Sequence, residues 1–160
     1  MFEKFPKTLY SFDGRNAVLI TDFMRRVAVP RSVKENLSLY ELYDIVDGDT
    51  PEIVADKVYQ SPHLHWIILT LNEIIDPRFD WCLSQENLVA MCQHKYENIY
   101  GTHHFEDEVG MVVDSDYPGA YPVSNFEYED QQNEAKRRIR ILSPQFVSEF
   151  IKQFENEISK

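Results

Sequence analysis

Residues 47–74, DGDTPEIVADKVYQSPHLHWIILTLNEI, predict a turn followed by two short helices. The Asp-Gly pair at the start of this stretch is typical of a turn. Thr50 can cap a helix with its hydroxyl group, and Pro51 suits the first helical position because its missing N–H costs nothing there. We therefore expect a first helix over residues 51–59.

A second helix is expected to begin at Pro62. Apolar residues at the i, i+3, i+4, i+7 spacing predict its buried stripe, which Trp66 and Leu69 widen. We assign Trp66 to the core and not to a sugar-stacking platform, because it lies within a helical apolar cluster and not on a loop. The residues of the stripe itself are Leu64, Ile67, Ile68 and Leu71.

The segments on either side of this stretch extend the pattern. Residues 39–46, LYELYDIV, are rich in strand formers and predict a strand before the turn. Downstream, SQENLVAMCQHKYENI at 84–99 predicts a third helix, capped by Ser84. Residues 101–114 predict a β-hairpin, and the acidic stretch 114–121 predicts a loop. The expected apolar stripe of the third helix comprises Leu88, Cys92, Tyr96 and Ile99.

The C-terminal part predicts a strand followed by an amphipathic helix. Arginine and isoleucine alternate over 138–141, as in a half-buried strand. The Ser143-Pro144 pair after it is typical of a helix start. The expected apolar stripe of that helix comprises Phe146, Val147, Phe150, Ile151, Phe154 and Ile158.

The first 36 residues differ from the rest because they show no sustained helical or strand period. Aromatic residues are interspersed with proline and glycine, which predicts an extended arm. Such aromatics need a surface to lie on, either the chain's own domain or a neighbouring subunit, and the sequence leaves both open. The aromatic residues of this arm are Phe2, Phe5, Tyr10 and Phe12.

Composition and charge limit the classes of function. The chain has 160 residues, 43% of them apolar, which is enough to bury one core. Its 27 acidic against 16 basic residues give a charge of -11, which disfavours binding to nucleic acid or anionic membranes and favours a basic partner. The longest apolar run, WIIL at 66–69, is too short to span a membrane. Two cysteines and no apolar leader predict folding in a reducing cytoplasm.

Two groups of side chains suggest metal binding or catalysis, and neither is favoured. The first contains two cysteines and three histidines, whose spacing matches no zinc pattern. The second contains three carboxylates that a glycoside hydrolase could use, but roles in a turn and a cap account for them. We therefore predict no catalytic residue, no metal and no cofactor. The two groups are Cys82, Cys92, His94, His103 and His104, and Asp47, Asp49 and Glu52.

Residues 43–74 resemble a LysM module, a small strand-helix-helix-strand fold that holds N-acetylglucosamine polymers. The Gly48-Asp49-Thr50 turn, the helix after it and the closing Asn72 carry the resemblance. A LysM strand would follow Asn72, whereas this chain continues into a third helix. The predicted fold class is α+β, a LysM-like strand-helix-helix core extended by a third helix, a β-hairpin and a C-terminal strand plus amphipathic helix. The expected divisions are an N-terminal arm at 1–36, the core with its extra helix at 37–100, and the remainder at 101–160.

Four sequence blocks, taken in order, resemble the baseplate wedge protein 53 family of contractile-tailed phages. The blocks are ITDFMRR at 20–26, PHLHWIILTLNEIIDPRFDW at 62–81, the helix that begins with SQE at 84–86, and NEAKRRIRIL at 133–142. This resemblance implies a structural protein without catalytic activity, which joins wedge subunits around the central hub near the sheath-initiator ring. It also implies several copies per baseplate, a place in the virion, and assembly in the cytoplasm of the bacterial host.

Two groups of residues are predicted to contact partners. The first combines apolar anchors with the fork-shaped donors of arginine, a mixture that protein interfaces favour. The second is a basic cluster, which is either the solvated side of a strand or a partner contact. The first group is Phe23, Met24, Arg25 and Arg26, and the second is Lys136, Arg137, Arg138 and Arg140. The alternative function is a LysM-type module that binds glycan, such as peptidoglycan.

Overall fold

The computed structural model describes residues 5–22 and 37–159. Contacts divide the chain into two units. The first unit takes its residues from 1–43, 51–75 and 140–160, and the second from 44–50 and 76–139. No helix in the described part of the chain is long and apolar enough to cross a membrane.

The N-terminal segment contains an antiparallel hairpin of strands β1 (Lys7–Ser11) and β2 (Ala17–Thr21). Asp13 shapes the turn between them, because its Oδ1 accepts hydrogen bonds from the backbone N–H groups of Arg15 at 2.9 Å and Asn16 at 2.8 Å. Gly14 follows with a positive φ of 71°, which glycine adopts without strain. Part of the predicted N-terminal arm is therefore a hairpin of two extended strands, closed by local turn chemistry, which the sequence analysis did not predict.

The predicted strand and two helices are confirmed in the middle of the chain. Strand β3 (Tyr40–Asp44) precedes helix α1 (Pro51–Tyr59), which has the predicted bounds. The next helical segment opens with a 3-10 turn at Pro62–Leu64 and continues as α2 (His65–Leu71). Its buried residues are Trp66, Ile67, Ile68 and Leu71, all of them in the predicted stripe, whereas Leu64 and Leu69 of that stripe are half-buried.

The C-terminal helix closes the core of the first unit. A 3-10 turn at Pro144–Phe146 leads into α6 (Val147–Ser159), whose apolar stripe is the predicted one. The side chains of that stripe pack with those of α2 in one cluster, which includes Trp66, Ile67, Leu71, Leu142, Val147, Phe150, Phe154 and Ile158. The ring centroids of Trp66 and Phe154 are 4.6 Å apart.

Strand β7 (Arg138–Leu142) pairs with β3 in a two-stranded sheet. Its alternation is the predicted one, with Ile139 and Ile141 buried and the arginines exposed. No strand follows Asn72 directly in the described part of the chain, in agreement with the predicted departure from the LysM pattern. Instead, the Asn72 side chain accepts a hydrogen bond from the Arg140 N–H at 2.8 Å and donates one to the Arg140 carbonyl at 2.8 Å.

The second unit combines helices with a three-stranded antiparallel sheet. Its helices are the single turn α3 (Pro77–Asp80), α4 (Gln85–Lys95) and α5 (Asn125–Glu134). Its strands are β4 (Thr102–Glu106), β5 (Val112–Val113) and β6 (Tyr121–Ser124), in the order β5-β4-β6. The β4–β5 hairpin and the Ser84 cap of α4 are as predicted, with Ser84 Oγ accepting from the Asn87 N–H at 3.3 Å.

Three features of the second unit differ from the prediction. Helix α4 ends at Lys95, so Tyr96 and Ile99 lie beyond it. Strand β6 begins at Tyr121, where a loop was expected, and α5 follows it directly. The mixed helix and strand content agrees with the α+β class, while the LysM-like details of the core remain a prediction.

Candidate interaction surfaces

The N-terminal hairpin exposes apolar side chains on both of its faces. In the register of the two strands, Leu9 lies opposite Leu19 on one face, and Tyr10 lies opposite Val18 on the other. We call the exposed residues of this hairpin the hairpin surface. They are Leu9 (71% exposed), Tyr10 (52%), Phe12 (94%), Val18 (61%), Leu19 (58%) and Ile20 (38%).

A two-stranded hairpin with this composition is not a stable end state in water. Two strands alone are marginal, and a third strand or a packed helix is needed for stability. β1 and β2 pair only with each other among the described strands. Contiguous exposed apolar residues of this kind are typical of surfaces that contact another molecule.

The aromatic residues of the N-terminal segment differ in burial, since one packs on the chain's own core and two are exposed. Phe5 is partly buried and packs against the core cluster of the first unit. Tyr10 and Phe12 are exposed on the hairpin. Phe2 lies outside the described residues, as do Phe23, Met24, Arg25 and Arg26, so the partner contact predicted for the last four stays a prediction.

Within the predicted basic cluster, Arg137 is held by its own unit. Its guanidinium forms a bidentate ion pair with Glu134, with Nε 2.7 Å from Oε2, and its Nη1 donates to the Ile45 carbonyl at 2.7 Å. The ion pair lowers the pKa of Glu134 and raises the pKa of Arg137. Only 25% of the Arg137 side chain is exposed. Arg137, just before β7, therefore has a structural role, because it joins the end of α5 at Glu134 to Ile45, which follows β3.

The other members of the cluster are more accessible. Arg138 forms a bidentate pair with Asp44 at 2.8 and 3.1 Å, but the two side chains are 66% and 58% exposed. Lys136 donates to the Phe79 carbonyl at 2.7 Å. An exposed ion pair such as that of Arg138 with Asp44 contributes little to stability. The exposed Arg138 and Arg140 therefore stay a predicted partner contact.

A second group of exposed apolar residues, together with acidic ones, lies in the second unit along β5, the turn before it and the loop that leads from it to the start of β6. We call it the acidic edge. Its apolar members are Val109, Met111, Val112, Tyr117 and Tyr121, and its exposed carboxylates are Glu108, Asp114 and Asp116. An open cavity of about 440 Å³ lies at this edge, lined by Val113, Asp114, Asp116, Tyr117 and Pro118.

The histidines and cysteines considered for a metal site lie in other surroundings. His103 stacks on Tyr128 with ring centroids 4.0 Å apart, and its Nδ1 is 2.9 Å from Nδ1 of His104. Cys82 and Cys92 are buried free thiols, and burial raises the pKa of both. Within 5–22 and 37–159, no group of three or more His, Cys, Asp or Glu is arranged to hold a metal ion.

Two of the three carboxylates considered for glycan chemistry have structural positions, while the third, Glu52, is exposed in the first turn of α1. Asp47 accepts a hydrogen bond from the Gln85 N–H at 2.8 Å, at the start of α4. Asp49 is buried, and its carbonyl accepts from the Trp81 indole at 2.7 Å. Trp66 is only 8% exposed, which confirms its assignment to the core.

Two comparisons with known proteins agree with each other. The family described as "Base plate wedge protein 53" matches residues 5–116. The chain is also 27% identical to the "Baseplate wedge protein gp53" of Enterobacteria phage T4, with 74% of each chain covered. The family match includes the hairpin, β3, both core helices, α4, β4 and β5. Because this match covers well over half of the sequence, the chain belongs to the base plate wedge protein 53 family.

Proposed function

We propose that this protein, a structural component of the phage baseplate by its family, works as an adaptor that joins wedge subunits around the central hub. One observation carries the proposal, namely the hairpin surface. It presents apolar side chains on two opposite faces, with Leu9 and Leu19 on one and Tyr10 and Val18 on the other. A neighbouring subunit that covers both faces would bury the hairpin as a strand pair inside a larger sheet or between helices.

The position of the hairpin relative to Phe5 supports this role. Phe5 packs against the core cluster of the first unit and therefore fixes the start of the hairpin. Leu9, at 71% exposure, and Phe12, at 94%, lie a few residues further along the chain. The hairpin is thus tethered at its base while its apolar tip and faces stay accessible to a partner, which is the arrangement that an adaptor needs.

The exposed arginines on β7 offer a second point of contact. Arg138 and Arg140 project from the strand on its exposed side, and rim charges of this kind steer association and fix register. The partners that we propose are other wedge proteins and the sheath-initiator ring.

The experiment replaces Leu9, Tyr10, Val18 and Leu19 with serine while leaving Phe5 intact. The variant is supplied from a plasmid to a phage whose own copy of the gene is inactivated, and its incorporation into purified baseplates is measured. We expect the variant to melt like the parent protein, because these side chains are exposed, and to be lost from baseplates.

A matched control is Ile75→Ser, since Ile75 is 92% exposed and is not part of the hairpin strands. It should enter baseplates normally. Normal incorporation of the hairpin variant would overturn the adaptor role proposed for this surface.

A further inference from the structure

A β-bulge brings two consecutive histidines of the second unit into contact. Thr102 lies opposite Ser124 and His104 lies opposite Val123, so His103 is the extra residue of β4 in this pair of strands. Consecutive residues of a regular strand point to opposite faces. At this bulge, the Nδ1 atoms of His103 and His104 are instead 2.9 Å apart. We call these two residues the histidine pair.

The two imidazole rings of the pair have different surroundings. The Nε2 atom of His104 is 2.9 Å from Oε1 of Glu106, and the two side chains are only 15% and 13% exposed. His103 stacks on the ring of Tyr128 in α5, with centroids 4.0 Å apart and planes 9° from parallel. The ring of Tyr96 lies perpendicular to His103 with its centroid 6.4 Å away. The pair therefore connects the start of β4 to helix α5.

The contact between the two Nδ1 atoms needs one donor and one acceptor. A neutral imidazole has one N–H and one unprotonated nitrogen, whereas a charged imidazole has two N–H groups. Because the carboxylate of Glu106 accepts hydrogen bonds, His104 presents an N–H at Nε2. A neutral His104 then has an acceptor at Nδ1, so that His103 must donate from its own Nδ1.

The pair can keep this contact with no charge or with one positive charge. When one ring is charged, its Nδ1–H donates to the unprotonated Nδ1 of the other ring. When both rings are charged, each Nδ1 carries a proton, and the two donors cannot bond to each other. Two like charges at this distance also repel each other, which disfavours the doubly charged state further.

The groups around the pair act on its charge without relieving this conflict. The carboxylates favour positive charge on the pair and Lys95 opposes it. Burial raises the pKa of Glu129, but hydrogen bonds from Lys95 and Tyr96 outweigh it and hold that pKa below the usual 4.5. The titratable groups on the surrounding elements are Glu106 on β4, Lys95 and Tyr96 at the end of α4, Tyr121 on β6, and Tyr128 and Glu129 on α5, with Asp107 and Glu127 near Tyr121.

We infer that the histidine pair is a pH-sensitive lock, which holds β4 against α5 while it carries at most one positive charge and opens when both rings are charged. The open state binds one proton more than the closed state, so the free energy of opening falls as the pH falls. Histidine ordinarily changes its charge between about pH 5 and about pH 8, and we expect the lock to open within that range. The inference concerns the second unit and does not depend on the hairpin surface.

The first test locates the protons. Nuclear magnetic resonance of the imidazole nitrogens in the isotope-labelled full chain distinguishes the two neutral tautomers and the charged ring. In the uncharged pair, we expect His103 to carry its proton on Nδ1 and His104 to carry its proton on Nε2. Protons on Nε2 of both rings would leave none between the two Nδ1 atoms, and this result would overturn the inference.

The second test measures opening by amide hydrogen exchange in β4 and β6 at about pH 8 and about pH 5. Each rate is corrected for the intrinsic effect of pH on exchange. In the parent protein, we expect the corrected exchange to be about fivefold or more faster at the lower pH, because one hydrogen bond between the rings is lost. Equal corrected rates at the two pH values would contradict the lock.

Two variants assign this effect to the pair. His103→Phe keeps a ring on Tyr128 but has no ring nitrogen, so we expect it to lose the acceleration at low pH. His104→Gln has an amide that can pair with Glu106 and with either form of His103, and it should lose the acceleration as well. If His103→Phe fails to fold, His104→Gln decides the question.

The matched control is His63→Gln, which removes an exposed histidine from the first unit. It should keep the full acceleration of the parent protein. Full acceleration in the variants of the pair, or its loss in the control, would show that other groups cause the opening.

Discussion

The indole ring of Trp66 lies against the ring of Phe154, with centroids 4.6 Å apart and planes tilted by 48°. This contact joins α2 to the C-terminal helix, and Phe150 adds a second ring with its centroid 6.1 Å from that of Trp66. Aromatic pairs prefer such tilted arrangements to a face-to-face sandwich. Trp66 is thus a point at which α2 and the C-terminal helix meet.

We predict that Trp66→Ala destabilises the protein by about 3 to 5 kcal/mol, because it removes a large buried side chain and leaves a cavity. Chemical unfolding measures the change. Trp66→Phe keeps a ring in contact with Phe154 and should lose clearly less. An alanine variant with the parent's midpoint would show that Trp66 does not contribute to the core.

A second prediction compares two neighbouring arginines. Arg137→Met removes the pair with Glu134 and the donor to the Ile45 carbonyl, and we expect a loss of about 1 to 3 kcal/mol. Arg138→Met removes only an exposed pair with Asp44, so its effect should be below about 1 kcal/mol. Urea unfolding of both variants measures the difference. Equal losses would contradict the structural role assigned to Arg137.

The third prediction concerns pH and Glu129. Burial opposes the charged form of this carboxylate, but hydrogen bonds from Lys95 Nζ at 2.6 Å and Tyr96 Oη at 2.7 Å outweigh it and hold its pKa below the usual 4.5. A carboxylate with a lowered folded pKa stabilises the protein above its unfolded pKa, and this contribution is lost as the pH falls through the folded value. Stability should therefore decline below about pH 4.5.

Glu129→Gln tests this directly. At neutral pH it should be less stable than the parent by about 1 to 3 kcal/mol, and the difference should shrink as the pH falls. Thermal unfolding at neutral pH and below about pH 4.5 gives the comparison. The exposed Glu97→Gln is the control. A difference that is the same at every pH would rule out the charge of Glu129 as its cause.

The parts of the fold that sequence periodicity predicted are those with an apolar stripe. The second core helix and the C-terminal helix were predicted from such stripes, whereas the first core helix was predicted from Thr50 and Pro51 at its start, and all three were found where expected. Helix α5 has no apolar stripe, and its buried side chains are polar. Asn133 accepts a hydrogen bond from the Leu83 N–H at 2.7 Å and donates one to the Leu83 carbonyl at 3.0 Å. The signal that could have revealed α5 is its capping box, in which Ser124 and Glu127 bond reciprocally.

The interaction surfaces were harder to predict. In the hairpin, apolar residues point to both faces, so the alternation that marks an ordinary surface strand is absent. The pairing of β3 with β7 joins residues about a hundred positions apart, which local patterns do not specify. Arg137 could be recognised as basic, and its partner Glu134 is only three residues away, but its bond to the Ile45 carbonyl depends on a distant contact.

A fourth prediction addresses the glycan-binding alternative. Because the Trp66 side chain is buried, it is not accessible for stacking on a sugar. We expect no retention of the protein on purified peptidoglycan or chitin beads, with an established LysM protein as the positive control. Saturable micromolar binding that is lost on substitution within 47–74 would favour the glycan-binding function instead.

Photo-crosslinking from the hairpin in assembled baseplates tests the adaptor role most directly. Benzoylphenylalanine is introduced at Leu19 in one variant and at Ile75 in a control, each variant is incorporated into baseplates, and the adducts are identified by mass spectrometry. We predict that position 19 forms an adduct with another baseplate protein in high yield, and that position 75 gives clearly less. Adducts from position 19 that remain within its own chain, or none above the control, would contradict the account.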